Sequence, residues 1–464
     1  MFSKLKTQTA AFFILVSIGG FVKAQTFPLC ITGTISPSVG TYPISAYSKD
    51  FNSDGKMDIA VANATSDNIS ILIGLGSGNF SPAVNYPVGS FPESIISSDF
   101  NADGKADIAV SNWGDNNVSV LFGTGTGMFG SAVNYNVSTQ PRSLCSGDFN
   151  GDGKMDLAVA NYGGNNVSIL LGTGAGVFSA AVNYAVGTNP HGISSYDYNA
   201  DGKADLAVAN NGSSNVSILI GLGTGMFLTP VNYAVGTNPR SISSVDFNGD
   251  GKLDLAVPNG TSGNVSILLG GVTAGTFGTA VNFSAGTQPF SCAVADFNSD
   301  GKLDIATCDF GTNNASVLLG TGTGSFNTAV NFVVGTKPEF IITSDFNNDG
   351  KPDLATTNIN SNNVSVLLNC NTTSLFESNK MIETIKLFPN PTSDVLNIEI
   401  LASNSLMIDS NVSIQIVNSI GEVVLSMSYL DAKKGINTSH LVQGMYFVTV
   451  NNLGSKQNLK FIKN

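Results

Sequence analysis

One nine-residue pattern decides most of what this chain can become. Asp-Phe-Asn-x-Asp-Gly-Lys-x-Asp, with Tyr for Phe in the fourth copy, starts at Asp50, Asp99, Asp148, Asp197, Asp246, Asp296 and Asp345. The spacings are 49, 49, 49, 49, 50 and 49 residues, and the extra residue falls in the turn at 270–277. Such regularity means one structural unit copied seven times. Each unit reads as four strands. In the second copy these are 94–99, 107–112, 118–122 and 132–137, with a Gly-Thr-Gly-Thr-Gly turn at 123–127. Four-stranded units of this length read as propeller blades. Composition agrees: 51 Gly and only 12% charged residues suit short strands and tight turns.

The chain ends supply a separate check. The seventh copy stops after its third strand, at 364–368. Ile35-Ser36-Pro37-Ser38-Val39-Gly40 matches the fourth-strand pattern Val84-Asn85-Tyr86-Pro87-Val88-Gly89. The first strand of the mature chain is therefore expected to complete the last blade, closing the ring and removing its exposed edges. The expected fold class is all-β: a seven-bladed β-propeller closed by an N-terminal strand, then a small Ig-like β-sandwich. The expected organisation is a secretory signal peptide at 1–24, the propeller at 25–370, a linker at 371–382 and the C-terminal domain at 383–464. Lys4 and Lys6, the apolar run 10–22 and Val22-Lys23-Ala24 carry the signal-peptide reading, with Gln25 as first mature residue. That run is short for a membrane span, so no transmembrane helix is expected in the mature chain.

Each repeat offers oxygen donors at loop positions 1, 3, 5 and 9, a backbone carbonyl at position 7, and Gly at position 6 for the sharp turn. Carboxylates and carbonyls in one short loop suit a hard cation, and calcium better than magnesium. The first set is Asp50, Asn52, Asp54, the Lys56 carbonyl and Asp58. The next three are Asp99, Asn101, Asp103, Lys105 and Asp107; Asp148, Asn150, Asp152, Lys154 and Asp156; and Asp197, Asn199, Asp201, Lys203 and Asp205. The last three are Asp246, Asn248, Asp250, Lys252 and Asp254; Asp296, Asn298, Asp300, Lys302 and Asp304; and Asp345, Asn347, Asp349, Lys351 and Asp353. About seven structural calcium ions are expected, with the lysine side chains pointing to solvent. The loops hold 21 of the 33 Asp and Glu, so the net charge of −12 argues for metal and against nucleic acid.

Through these loops the repeats resemble the FG-GAP/VCBS family over about residues 27–370. Calcium-loaded blades of that family also build the propeller of integrin α subunits. The resemblance implies a β-propeller, often adhesive or carbohydrate-associated. The family's Phe-Gly-Gly-Ala-Pro hairpin is replaced here by Gly-Thr-Gly-Thr-Gly, so the likeness is to bacterial members. In the C-terminal domain, strands are expected at 395–400, 412–417, 423–427 and 446–450. Phe388-Pro389-Asn390-Pro391, Gly421-Glu422-Val423-Val424, Gly444-Met445-Tyr446-Phe447-Val448 and Lys460-Phe461-Ile462-Lys463 resemble the sorting domain of the Bacteroidetes type IX secretion system. That resemblance implies engagement of the secretion machinery, and a product released or held at the outer-membrane surface.

Five cysteines are present. Shifted into the second blade, Cys370 falls on Thr124 and Cys30 on Met128, flanking one tight turn, so Cys30 and Cys370 are expected to pair. Cys292 and Cys308 are read as facing each other across their loop, as a disulfide or as two buried thiols. Cys145 is expected to be buried and inert. The recurring Asn-Val-Ser triplets read as strand patterning.

No catalytic constellation is evident. The chain has two His, and neither sits in a Ser-His-Asp, Cys-His or zinc spacing. Function is then sought where the repeats differ. The residues entering strand one are Ile44, Glu93, Arg142, His191, Arg240, Phe290 and Glu339, and those turning from strand two to three are Ala64, Trp113, Tyr162, Asn211, Gly260, Phe310 and Ile359. All lie on the face opposite the Asp-rich loops. Trp113, Arg142, Tyr162, His191, Arg240, Phe290 and Phe310 are the candidate ligand-binding residues, with rings to stack on sugars and charges to bond hydroxyls. The expected function is a non-catalytic, secreted or surface-displayed propeller binding glycan or a cell-surface protein, and the expected state is a monomer. The alternatives are a polysaccharide-processing enzyme such as a lyase, using Arg142, Tyr162, His191 or Arg240, and a structural spacer.

Overall fold

The computed structural model describes residues 31–369, 384–401, 412–419, 421–452 and 455–464. The expected signal peptide, the linker, Cys30 and Cys370 lie outside these residues. Among the described residues, 31–369 form seven antiparallel four-stranded sheets. The first comprises Pro43–Lys49, Asp58–Asn63, Asn68–Leu72 and Val84–Pro87. The innermost strand of each sheet touches that of the next, and Pro338–Ser344 touches Pro43–Lys49, so the ring is closed. The chain is therefore all-β and propeller-built. In the second blade the strands are Pro92–Ser98, Asp107–Asn112, Asn117–Leu121 and Val133–Asn136, within two residues of the sequence reading.

Closure follows the permuted scheme. Ile31–Ile35 pairs antiparallel with Asn363–Asn369 and supplies the outer strand of the last sheet. Ile35 lies opposite Val366, just as Val84 lies opposite Ile71. Ile31 lies opposite Asn369.

The blades are locked together by the residues that repeat. The strand Asp-Ile/Leu-Ala-Val is buried on both faces, and its alanines let neighbouring blades approach closely. The loop aromatic packs edge-on against a ring of the following blade: Phe51 on Phe129 at 5.5 Å, and Phe346 on Phe80 at 5.8 Å across the closing interface. The Gly-Thr turn adds a clasp. The Gly127 N–H donates to the Phe51 carbonyl at 3.0 Å, and Gly78 donates to Phe346 at 3.0 Å. Gly127 has φ +77°, and a Cβ there would meet the Ile73 side chain at 2.6 Å, so glycine is required.

The Asn-Val-Ser triplets do more than pattern a strand. Asn112 Nδ2 donates to Asn117 Oδ1 at 2.7 Å and to Ser119 Oγ at 2.8 Å. Ser119 Oγ donates to Asn134 Oδ1 at 2.7 Å and accepts from the Gly89 N–H at 3.2 Å. A polar ladder thus crosses three strands inside the blade. The sixth blade carries Asp309 in place of this Asn, and burial pushes its carboxyl up to about 6.

The cysteine readings divide. Cys145, Cys292 and Cys308 are all free. Cys292 pairs in register with Thr307, and Cys308 with Ser291. That offset of one residue puts the two thiols on opposite faces of the sheet, so they do not face each other. Cys145 is only partly buried, contrary to expectation, although desolvation still raises its thiol pKa, in keeping with an inert group.

The C-terminal residues form two sheets around one core. The smaller contains Thr384–Phe388, Val395–Leu401 and Ile436–Asn437. The larger contains Val412–Asn418, Val423–Ser428, Gly444–Asn452 and Ser455–Lys463. Leu396 and Ile398 pack with Ile414, Ile416, Val448 and Phe461. The strands at 384, 436 and 455 and the one-turn helix Tyr429–Ala432 add to the four strands expected. Asn390 of Phe-Pro-Asn-Pro donates to the Lys460 carbonyl at 3.1 Å and accepts from the Ile462 N–H at 3.0 Å, so that motif fastens the last strand.

The ladder sets a stability test. Ser119→Ala removes its hub and leaves Asn112 and Asn134 short of partners. It is expected to cost about 1–3 kcal/mol in urea unfolding. Ser325→Ala, at an exposed turn, is expected to stay within about 0.5 kcal/mol.

Candidate functional site

Two faces carry candidate chemistry. On one, each Asp-rich loop wraps its own backbone. In the first copy, Asp50 Oδ2 accepts from the Gly55 N–H at 2.8 Å, Asn52 Oδ1 from Asp54 N–H at 3.0 Å, and Asp54 Oδ1 from Lys56 N–H at 2.9 Å. Gly55 takes φ +81°, the left-handed turn that position 6 demands. Asp58 is fully buried. Its Oδ2 accepts from the Phe51 N–H at 2.8 Å and its Oδ1 from the Gly74 N–H at 2.7 Å. Burial, joined by the charges of Asp50 and Asp54, pushes its carboxyl up to about 6. Asp205, Asp304 and Asp353 are pushed up to about 6 in the same way, and Asp107, Asp156 and Asp254 are also raised.

Among the described residues no three His, Cys, Asp or Glu side chains stand close enough to grip a metal by themselves. The loops' donor set is wider than carboxylates. It adds an Asn oxygen and a main-chain carbonyl, and each Asp58 oxygen keeps a second lone pair. All of these are hard oxygens, which fits a hard cation in chemistry. Six of the loop lysines stay at the surface, with side chains 37–45% exposed, and each also finds a local partner. Lys56 Nζ folds back to Asp54 Oδ2 at 3.3 Å, and five further loops form the same pair at 3.3–3.8 Å. The aliphatic stem of Lys56 passes beside Gly76 in the turn before the outer strand, with its head group still open to water.

On the opposite face, the seven entry residues do meet. Ile44, Glu93, Arg142, His191, Arg240, Phe290 and Glu339 ring a cavity of about 50 Å³ at the mouth of the central channel. Arg142 Nη1 donates to Glu93 Oε1 at 2.9 Å, and Arg142 Nε to His191 Nε2 at 3.0 Å. Arg240 Nη1 lies 3.5 Å from Glu339 Oε1 and 3.5 Å from His191 Nε2. Burial, then the charges of both arginines, lowers the His191 pKa well below the usual range, so its ring is neutral. Burial pushes Glu93 up to about 7, with Arg142 pulling it back, and raises Glu339.

The aromatics divide into two groups. Trp113 lies 5.3 Å from the Arg142 guanidinium carbon and 5.4 Å from the Tyr162 ring, and both rings are half-buried. Phe290 and Phe310 stack at 4.5 Å, with Arg240 3.7 Å from the first ring and Lys337 4.3 Å from the second. Phe290 is buried within that column and offers no face to a ligand. Ala64, Gly260 and Ile359 are buried too, so the strand two–three turns contribute less than expected.

Sequence reading missed a third ring. Tyr42, Phe91, Gln140, Asn189, Asn238, Gln288 and Lys337 all take positive φ, from 52 to 64°. Their carbonyls accept the N–H of Ala64, Trp113, Tyr162, Asn211, Gly260, Phe310 and Ile359 at 2.8–3.0 Å. The signal was present: each lies two residues before an entry residue and varies as those do. Tyr42 and Phe91 are exposed and extend the aromatic arc of Trp113 and Tyr162.

Comparison with known proteins follows these two features. The FG-GAP-like repeat model matches in six overlapping stretches, 50–110, 99–159, 148–208, 197–257, 246–307 and 296–356. The secretion system C-terminal sorting domain model matches 386–464. No curated protein matches the chain. Among solved structures, the complex of BBS1N with ARL6DN soaked with mercury has a similar chain, with TM-score 0.53, 11% identity, 74% of this chain and 98% of that one. The lead-soaked form gives 0.51, 12%, 74% and 97%. A putative 6-phosphogluconolactonase from Bacteroides uniformis gives 0.49, 14%, 74% and 94%. At these identities the likeness concerns the fold alone. The sorting domain indicates a secreted or cell-surface protein of Bacteroidetes that engages the type IX secretion machinery. No helix among the described residues is long and apolar enough to cross a membrane. The chain belongs to the family of FG-GAP-like repeat proteins.

Proposed function

We propose that this chain is a non-catalytic, calcium-stapled propeller that binds glycan or a cell-surface partner through its variable face. The observation that carries the reading is the arc of Tyr42, Phe91, Trp113 and Tyr162 beside Arg142, on the side away from the repeated loops. Exposed and half-buried rings beside fixed charges suit a sugar's flat apolar face and its hydroxyls. The cavity is far smaller than the roughly 300–1,000 Å³ of a small-molecule pocket, so a saccharide ring sits over the mouth and not inside it. An enzymatic reading is weaker because the lone pair of His191 Nε2 already accepts from Arg142. A base must offer that lone pair to substrate.

Each loop would hold calcium through its two outer aspartates, its Asn, the Lys carbonyl and the buried final Asp. When bound, the ion supplies positive charge that offsets the mutual repulsion of three carboxylates. The chain's own share is to fix the donors: Gly55 permits the turn, and Asp58 ties loop to blade. Cys30 and Cys370 are proposed to be joined. Their chain neighbours Ile31 and Asn369 are cross-strand partners, a spacing that suits a disulfide.

Three outcomes are expected. Elemental analysis should find about seven calcium ions per chain, and calcium at roughly 10 mM should add about 1–3 kcal/mol per site. A melting temperature unmoved by chelator refutes the structural role. Intact-mass analysis after alkylation without reductant should leave Cys30 and Cys370 unmodified; two alkylated thiols there end the pairing. On a glycan array in millimolar calcium, binding should disappear in Trp113→Ala at unchanged melting temperature. A blank array turns the reading toward a protein partner or a spacer.

A further inference from the structure

The two arginines of the ring stand differently from the groups around them. Their side chains are 19% and 20% exposed, while those of Glu93 and Glu339 are 2% and 12% exposed. The carboxylates lie beneath, and the guanidinium groups face the mouth. Both cations converge on one uncharged acceptor, His191 Nε2, whose single lone pair cannot serve both well. Arg142 spends Nε on His191 and Nη1 on Glu93. Arg240 spends Nε on Asn238 and Nη1 on Glu339 and His191. Among the described residues, neither Nη2 donates to a protein atom.

The cavity these groups bound, about 50 Å³, exceeds the share of one water and falls well short of a sugar ring. Each guanidinium keeps its Nη2 for a further acceptor, and two such charged donors around so small a space match an oxyanion. We propose that Arg142 and Arg240 form an anion site that takes one carboxylate or sulfate group carried by a sugar, whose ring then lies on Trp113 and Tyr162. This rests on the glycan reading and narrows it to acidic saccharides. Glu93 and Glu339 are then positioning residues: they hold the guanidinium groups upright and keep the empty site near neutral charge.

Trp113 is the only tryptophan in the chain and lies beside Arg142, so its fluorescence reports directly on the site. The test titrates the full mature chain at fixed ionic strength with glucuronic-acid oligosaccharides, their neutral glucose counterparts, sodium acetate and sodium sulfate. Saturable quenching or enhancement by the acidic oligosaccharides is expected. It should weaken about tenfold or more for the neutral counterparts and in Arg142→Gln. Arg142→Lys keeps a cation over Glu93 and so guards against a folding failure, and it should also weaken binding because one ammonium cannot hold Glu93 and still present the separate Nη2 donor. Acetate and sulfate separate a planar site from a tetrahedral one. Equal binding of neutral and acidic saccharides overturns the anion site and leaves the glycan reading standing. Response to the simple anions without any saccharide response supports the anion site and removes the glycan reading. No response to any probe overturns the proposal.

Discussion

The fold turns on the buried aspartate that ends each loop. Asp58 and its equivalents each accept two backbone N–H groups, one from the loop aromatic and one from the turn before the outer strand. One carboxylate therefore fixes two segments that meet the blades on either side. The aromatic packs its ring on the following blade, and the turn donates an N–H to a carbonyl of the preceding one. In the last blade Asn369 takes the turn's place, donating to Asp353 through its N–H and to the Phe297 carbonyl through its side chain. A carboxylate this deep is costly when charged and alone. Two N–H donors reduce that cost, and a nearby cation would reduce it further.

Most of the fold was legible because the repeat is a physical unit. Phe, Gly, Asn and Ser recur where an interface or a ladder uses them, so the period reads directly as blades. The closing strand was legible for the same reason, since Ile35 keeps the pattern of Val84. The failures have local causes. The Asp-rich loop joins its strands asymmetrically, with Ala295 opposite Asp304, and this one-residue offset separates Cys292 from Cys308. The Asn-Val-Ser ladder was missed because a spacing pattern does not say which side chains meet across strands.

The binding face was legible only in outline. Variation among repeats located the ring, but not its internal pairing. That Arg142 and Arg240 would share His191, or that Phe290 would vanish beneath Phe310 and Arg240, depends on side-chain packing at the centre of a sevenfold array. Tyr42 and Phe91 were overlooked because left-handed backbone favours glycine and asparagine, not aromatics. Conserved chemistry sits on one face and variable chemistry on the other, so the rim can change without disturbing what holds the blades.

Closure by the N-terminal strand has a consequence in time. The Tyr42 N–H bonds Asn362 Oδ1 across 320 residues of chain, while the other blades are assembled from neighbours. Contacts so distant in sequence form slowly, because the intervening chain must first be ordered. Six blades can therefore stack in succession while the seventh stays open with a bare sheet edge, and the propeller is completed in one late event that joins its first strand to its last blade.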